Sequence, residues 1–228
     1  MCRPSLISTD RNFAISPFQF LYNLIMTDRK THWDNIHANK PSTEVSWYQA
    51  EPKRSIELIC EFSTPDSRVI DVGGGQSFLV DSLLDLGYRN LTVLDVAQSA
   101  VDATRSRLKE RADLVRWIVA DVTQIANLDP VEVWHDRAVF HFLTEEADRR
   151  HYVNLLKRSL VPGGHAIIGT FAIGVPLRCS GLEICQYDTT TMSGELGEDF
   201  LLIRSFEEDH LTPAGKVQRF FFAVFKRL

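Results

Sequence analysis

Val69-Ile70-Asp71-Val72-Gly73-Gly74-Gly75-Gln76-Ser77 decides the fold. A short apolar run ends in an acid and breaks into three glycines. Glycines at the end of a first strand let the chain turn sharply and let a ligand approach the backbone with no Cβ in the way. A dinucleotide loop in the G-x-G-x-x-G spacing, counted from Gly73, needs glycine at position 78, and Phe78 stands there. Such a loop also leaves no room for an acid beside the pyrophosphate, the place Asp71 occupies. A carboxylate beside a glycine bend suits a cationic ligand without phosphates.

Outward from that stretch the pattern alternates. Strands are predicted at 68–72, 90–95, 115–120, 131–134 and 165–171, with helices at 52–62, 78–86, 99–111 and 145–160. Gly87 ends the second helix. Either Ser99 caps the third or Ala97-Gln98 leads into it. Pro162-Gly163-Gly164 reads as a turn. Short connections between alternating strands and helices mean a parallel sheet covered on both faces. The tail departs from this rhythm. Strands at 200–206 and 218–225 have no crossover helix between them, and Pro213 and Gly215 mark residues 207–217 as a hairpin loop. The expected architecture is α/β: a doubly wound, mostly parallel seven-stranded sheet finished by an antiparallel C-terminal hairpin. Residues 1–55 read as an N-terminal extension and cap, with 13–26 a helical extension or leader. Residues 56–228 read as the main domain, interrupted at about 172–199 by an insertion of the kind that carries specificity.

Two further acids fall at strand ends. Asp95 closes the second strand, where a carboxylate accepts both hydroxyls of a ribose. Asp121 closes the third, where it receives an adenine amine while Val122 supplies a backbone N–H. Strand-end aspartates are also turn formers and helix caps. Three along one sheet edge favour a ligand site, because open α/β sheets bind ligands at that edge.

Together these residues resemble the class I S-adenosylmethionine-dependent methyltransferases over roughly residues 65–228. The Asp-x-Gly-x-Gly core of that family's first motif stands as Asp71, Gly73 and Gly75, with Ser77 in place of a further glycine. The resemblance implies the Rossmann-like methyltransferase fold and S-adenosyl-L-methionine as cofactor. It puts Gly73, Gly74 and Gly75 against the methionine end, Asp95 on the ribose, Asp121 on the adenine, and Val96 and Val122 at the walls of the adenine slot. A looser likeness runs through His32–His37, Ser46-Trp47-Tyr48 and Trp134–Leu143. It is similar to a bacterial group related to lysine methyltransferases that act on elongation factor or citrate synthase. Other readings are a nucleotide-dependent oxidoreductase, disfavoured by Phe78 and the hairpin, and a non-catalytic methyltransferase-fold binding module.

Methyl transfer is an in-line displacement, so the protein positions the nucleophile and shapes the charge around it. Residues after the fourth strand flank the methyl group in such folds, which makes His135 and Asp136 candidates. Asp136 either orients an amine or serves structurally, pairing with Arg137 or capping the next turn. Trp47 is expected to close over the cofactor or to be plain packing. Tyr187 and Cys179 are candidates in the insertion. His210 is a candidate base or a solvated loop residue. Gly73→Val is expected to block the cofactor.

The chain has 228 residues, a formal net charge of −5, 44% hydrophobic and 24% charged residues, an ordinary globular balance that excludes a disordered or fibrous chain. The mild acidity offers no field for nucleic acid. The methyl acceptor is therefore expected to be a protein lysine or a small molecule. Cys2, Cys60, Cys179 and Cys185 form no Cys-x-x-Cys pair, so no metal site and a reducing, cytoplasmic setting are expected. No apolar run reaches the ~20 residues that span a bilayer. A monomer is the default expectation.

Overall fold

The computed structural model describes residues 29–228. The expectation for residues 13–26, and Cys2, lie outside the described residues. A helix covers 29–39 (α1). It is followed by α2 (Lys53–Phe62), β1 (Arg68–Val72), α3 (Leu79–Asp85), β2 (Asn90–Asp95), α4 (Gln98–Leu108), β3 (Val115–Val119), β4 (Val131–Arg137), α5 (Glu146–Ser159) and β5 (Leu160–Phe171). Two short strands, β6 (Arg178–Cys179) and β7 (Leu182–Glu183), precede α6 (Thr189–Leu196), β8 (Phe200–Leu211) and β9 (Val217–Arg227).

The main sheet has seven strands in the order β3-β2-β1-β4-β5-β9-β8. β1 to β5 pair in parallel, and β9 joins β5 and β8 antiparallel. Successive strand residues point to opposite faces, so apolar runs feed two cores at once. Ile70, Trp134 and Ile168 enter the core under α5 and α6, while Val69, Val133 and Ile167 enter the one under α2, α3 and α4. This explains why the parallel strands read as continuous apolar runs. Fully burying each such aliphatic side chain contributes about 1.5–3 kcal/mol.

The structure departs from the sequence expectation in four places, and it decides between the two starts left open for α4. β4 runs on to Arg137, and the apolar stretch after it is a one-turn 3-10 helix, Phe140–Phe142. Pro162-Gly163-Gly164 lies inside β5, where the pairing with β4 shifts between Val131 and Val133. The final hairpin is longer than expected: β8 reaches Leu211, β9 starts at Val217, and residues 212–216 alone make the turn. Position 97 is the N-cap of α4; the cap contact comes from α1, whose Asp34 Oδ1 accepts from the Ser99 N–H at 3.0 Å. The insertion is ordered by a helix, with Asp188 and Thr191 forming a reciprocal capping box on α6.

Candidate active site

A cleft, open to solvent in part, lies at the C-terminal ends of β1 to β5. This is where open α/β sheets present loops and ligand groups. Its floor is the glycine bend. Gly73 has φ +74°, and a Cβ there would run into the Val139 side chain, while one on Gly74 would run into Asp71. A Cβ on Gly75 would lie 2.5 Å from Asp95 Oδ2. The bend is therefore glycine for the sake of the protein's own packing. The expectation for Gly73→Val is corrected accordingly: the side chain would meet Val139 before any ligand.

Asp71, Asp95 and Asp121 all line the cleft, from the ends of three adjacent strands. Asp71 Oδ1 accepts from His135 Nδ1 at 2.7 Å, and the ring's Nε2 lies 2.9 Å from Ser55 Oγ. Both nitrogens of His135 are thus engaged, which ties β1, β4 and α2 together. Asp95 accepts from Gly75 N–H at 2.9 Å and Ala97 N–H at 2.8 Å. A carboxylate has about four lone-pair sites, so it keeps acceptor capacity toward the cleft. Burial pushes its pKa up, against those two N–H bonds and the nearby His37. Asp121 accepts from Thr123 N–H and, unforeseen, from Arg29 Nη1 at 3.0 Å; Arg29 Nη2 also reaches Asp148 at 2.6 Å.

Val96, Val122, Trp47 and His135 line the cleft as well, whereas Gly75 shapes it from behind through Asp95. The Trp47 ring meets Trp33 and His37 edge to face at 5.7 and 5.9 Å. Phe78, at the position a dinucleotide loop gives to glycine, packs against Tyr48 and under Arg107.

Other candidates fall elsewhere. Asp136 is sealed from solvent and is not among the cleft-lining residues. Its oxygens accept from Val139 N–H at 2.9 Å, Phe140 N–H at 3.1 Å and Tyr152 Oη–H at 2.6 Å. Of its expected roles, the capping of the next turn is the one this geometry performs; orienting an amine is not. Tyr187 is buried against Phe140 and also stands off the cleft. Burial raises its pKa strongly. His210 is corrected from a loop residue to a buried one in β8, where Nε2 donates to the Ser46 carbonyl at 2.8 Å. Cys179 does line the cleft.

Nothing in the sequence marks Arg29, Gln218 and Phe220 as cleft residues, yet all three line it. The signal in β9 is the alternation of 218, 220 and 222, which places these residues on one face. Among the described residues, four cleft-lining side chains have buried polar atoms without a partner: His37 Nδ1, Gln76 Oε1, Gln218 Oε1 and both ring nitrogens of His141. Buried polar groups are normally paired, and these four side chains share one cleft.

Fold and site point to a class: the chain has the Rossmann-like α/β fold, and residues 69–164 match the methyltransferase-domain family. Nodulation protein S of Rhizobium tropici is 32% identical over 106 residues, 46% of this chain and 44% of that protein. The chain spans a little under half the length of the nodulation proteins it matches. Human EEF1A lysine methyltransferase 2 is 21% identical over 203 residues, 82% of this chain and 80% of that one. The N-methyltransferase NodS of Bradyrhizobium japonicum WM9, solved with S-adenosyl-L-homocysteine, superposes with TM-score 0.62 at 18% identity, over 90% of this chain and 97% of that one.

Proposed function

We propose that this chain is an S-adenosylmethionine-dependent methyltransferase acting on a protein lysine or a small molecule. One observation carries it: a glycine bend and the carboxylates Asp71, Asp95 and Asp121 meet at the ends of three adjacent strands in one cleft. The matched domain and the N-methyltransferase and lysine-methyltransferase relatives support it.

The residues fit an adenosyl sulfonium. The acids suit hydroxyls and a positive charge, the bend exposes backbone without Cβ atoms, and the unpartnered atoms of His37 and Gln76 lie beside the bend's side of the cleft. When bound, that cofactor supplies a methyl group activated for in-line displacement. In our reading Asp95 accepts the ribose hydroxyls with the lone pairs that Gly75 and Ala97 leave free. Val96 and Val122 flank the adenine, Asp121 bonds its amine, and Asp71, held by His135, biases the methionine end toward positive charge. Trp47 and the rest of the segment 29–49 cover the cleft and exclude water. We take residues 1–55 as an N-terminal extension and cap, whose described part begins at residue 29, and 56–228 as the catalytic domain. Cys60, Cys179 and Cys185 are free thiols, which supports a cytoplasmic setting. No helix among the described residues is long and apolar enough to cross a membrane.

Calorimetric titration with S-adenosylhomocysteine and with NADH tests this reading: the homocysteine compound binds and NADH does not. Binding of NADH alone overturns it. Asp95→Asn, which keeps the shape but removes the charge, weakens S-adenosylhomocysteine binding by roughly tenfold or more, the worth of charge-assisted hydrogen bonds. Unchanged affinity rejects the ribose role.

A further inference from the structure

The half of the cleft under β4, β5 and β9 differs in charge from the carboxylate-rimmed half. Arg137, the last residue of β4, is partly exposed, and it lines the cleft. Its Nη1 donates to the Trp47 carbonyl at 3.0 Å, and its guanidinium lies 4.6 Å from the centre of the Phe220 ring. Among the described residues it forms no ion pair. Other arginines around the cap and the fold do: Arg29 with Asp121 and Asp148, Arg54 with Glu208, Arg107 with Asp81, Arg149 with Glu195. The acid that acts on Arg137 most strongly, Glu208, is already held by Arg54 at 2.6 Å. Burial lowers the Arg137 pKa to about 10, with Glu208 and Asp71 pulling it up, so it stays charged near neutrality without a direct ion pair among the described residues.

The groups beside it are also unsatisfied. His141 is fully buried, and neither ring nitrogen has a partner among the described residues. Burial and Arg137 hold its pKa down to about 3, so the ring is neutral. Gln218 Oε1, also lining the cleft, is buried and unpartnered, and as an acceptor it calls for a donor and not for a carboxylate. The walls of this half are flat and apolar: Trp47, Phe142, Phe171 and Phe220. A guanidinium that faces a cleft without an ion-pair partner matches a carboxylate through two parallel N–H bonds. With a single arginine and aromatic walls, the subsite suits one negative charge on a planar body and not a phosphate dianion.

We propose that Arg137, beside His141, binds the carboxylate of the methyl acceptor, which is a flat organic acid and not a lysine side chain. This rests on the methyltransferase reading and narrows its acceptor. A lysine ammonium placed here would face the Arg137 charge at close range. The same carboxylate chemistry is present at the amino-acid end of the cofactor, so the test separates the two sources.

Benzoate, benzamide and benzylammonium are titrated into the purified protein saturated with S-adenosylhomocysteine, with tryptophan fluorescence as the readout. Benzoate binds at least roughly tenfold more tightly than benzamide, and benzylammonium does not bind, as loss of one charge-assisted contact requires. Arg137→Gln abolishes the preference and Arg137→Lys retains part of it, each with cooperative thermal unfolding. Equal binding of the three probes, or preference for benzylammonium, overturns the proposal in the wild-type protein alone. In a second arm, S-adenosylhomocysteine is compared with its decarboxylated analogue. If Arg137→Gln weakens the former to the level of the latter, Arg137 serves the cofactor, and the acceptor subsite is rejected. If wild type binds neither compound, the methyltransferase reading fails by itself. The three probes are then compared without them: a benzoate preference that Arg137→Gln abolishes supports the anion site, and its absence overturns that site too.

Discussion

Asp136 is a carboxyl group sealed from water beneath the cleft and satisfied by Tyr152 and two backbone N–H groups. Burial raises its pKa from 3.8 to about 6, with the Tyr152 and Val139 bonds pulling the other way. A raised carboxyl pKa means the folded state holds the proton more tightly than the unfolded chain. The contribution is therefore fully present below about pH 4 and is lost as pH rises through about 6, an effect of about 3 kcal/mol for two pKa units. Asp136→Asn cannot titrate, so its urea unfolding free energy loses that slope between pH 4 and 6. A parallel pH profile in the two proteins contradicts this account. The strand-end acids Asp71, Asp95 and Asp121 were legible as residues of the sheet edge that lines the cleft because their positions follow from the strand boundaries. Asp136 was not separable from them by sequence. Only its depth in the fold, two residues beyond Trp134 and under Tyr152, makes it a structural group.

The glycine bend, as an element, is set by the contacts its backbone must clear. Gly73 needs a left-handed backbone and closeness to Val139, two separable requirements. Gly73→Ala loses about 1–3 kcal/mol of stability from strain and crowding together. Adding Val139→Ala recovers the crowding part and leaves about 1 kcal/mol of backbone strain. A double-mutant cycle by thermal or urea unfolding reads both, and strict additivity refutes the contact. Among the elements, the parallel strands and their helices were legible from apolar periodicity. The length of the final hairpin was not. In β8, Glu207, Glu208, Asp209 and His210 read as a polar loop, yet they pair in register with Phe221, Phe220, Arg219 and Gln218 of β9. Backbone pairing with an apolar neighbour strand overrides their weak strand propensity. The cap of α4 was hidden for a related reason: Asp34, which supplies it, lies 65 residues from Ser99.

At the scale of the whole molecule, α1 closes the β3 side of the cleft. Arg29 joins it to Asp121 after β3 and Asp148 in α5, with all three side chains largely buried. Removing one member of such a group leaves its partners charged and unpaired, which costs about 3–5 kcal/mol. Arg29→Ala therefore loosens α1, and amide exchange over residues 29–39 rises while protection in β1 and β4 is kept. Unchanged exchange in α1 shows that the arginine does not hold the cap. The sheet order has a further consequence. β1 to β3 carry the carboxylate half of the cleft and β4, β5 and β9 the arginine half, so its polarity follows the strand order.

The alternation of strand and helix, the three-glycine bend and the acids at the strand ends were determined by the sequence alone. Each depends on local periodicity or on a position next to a strand end, and both are readable within a dozen residues. Which arginines meet carboxylates, which histidines lose their partners and which aspartate is walled off were decided by tertiary structure. Those outcomes depend on distances between residues 16 to 164 positions apart, such as Asp136 with Tyr152, Arg29 with Asp148 and His210 with Ser46, and on how much water their packing excludes.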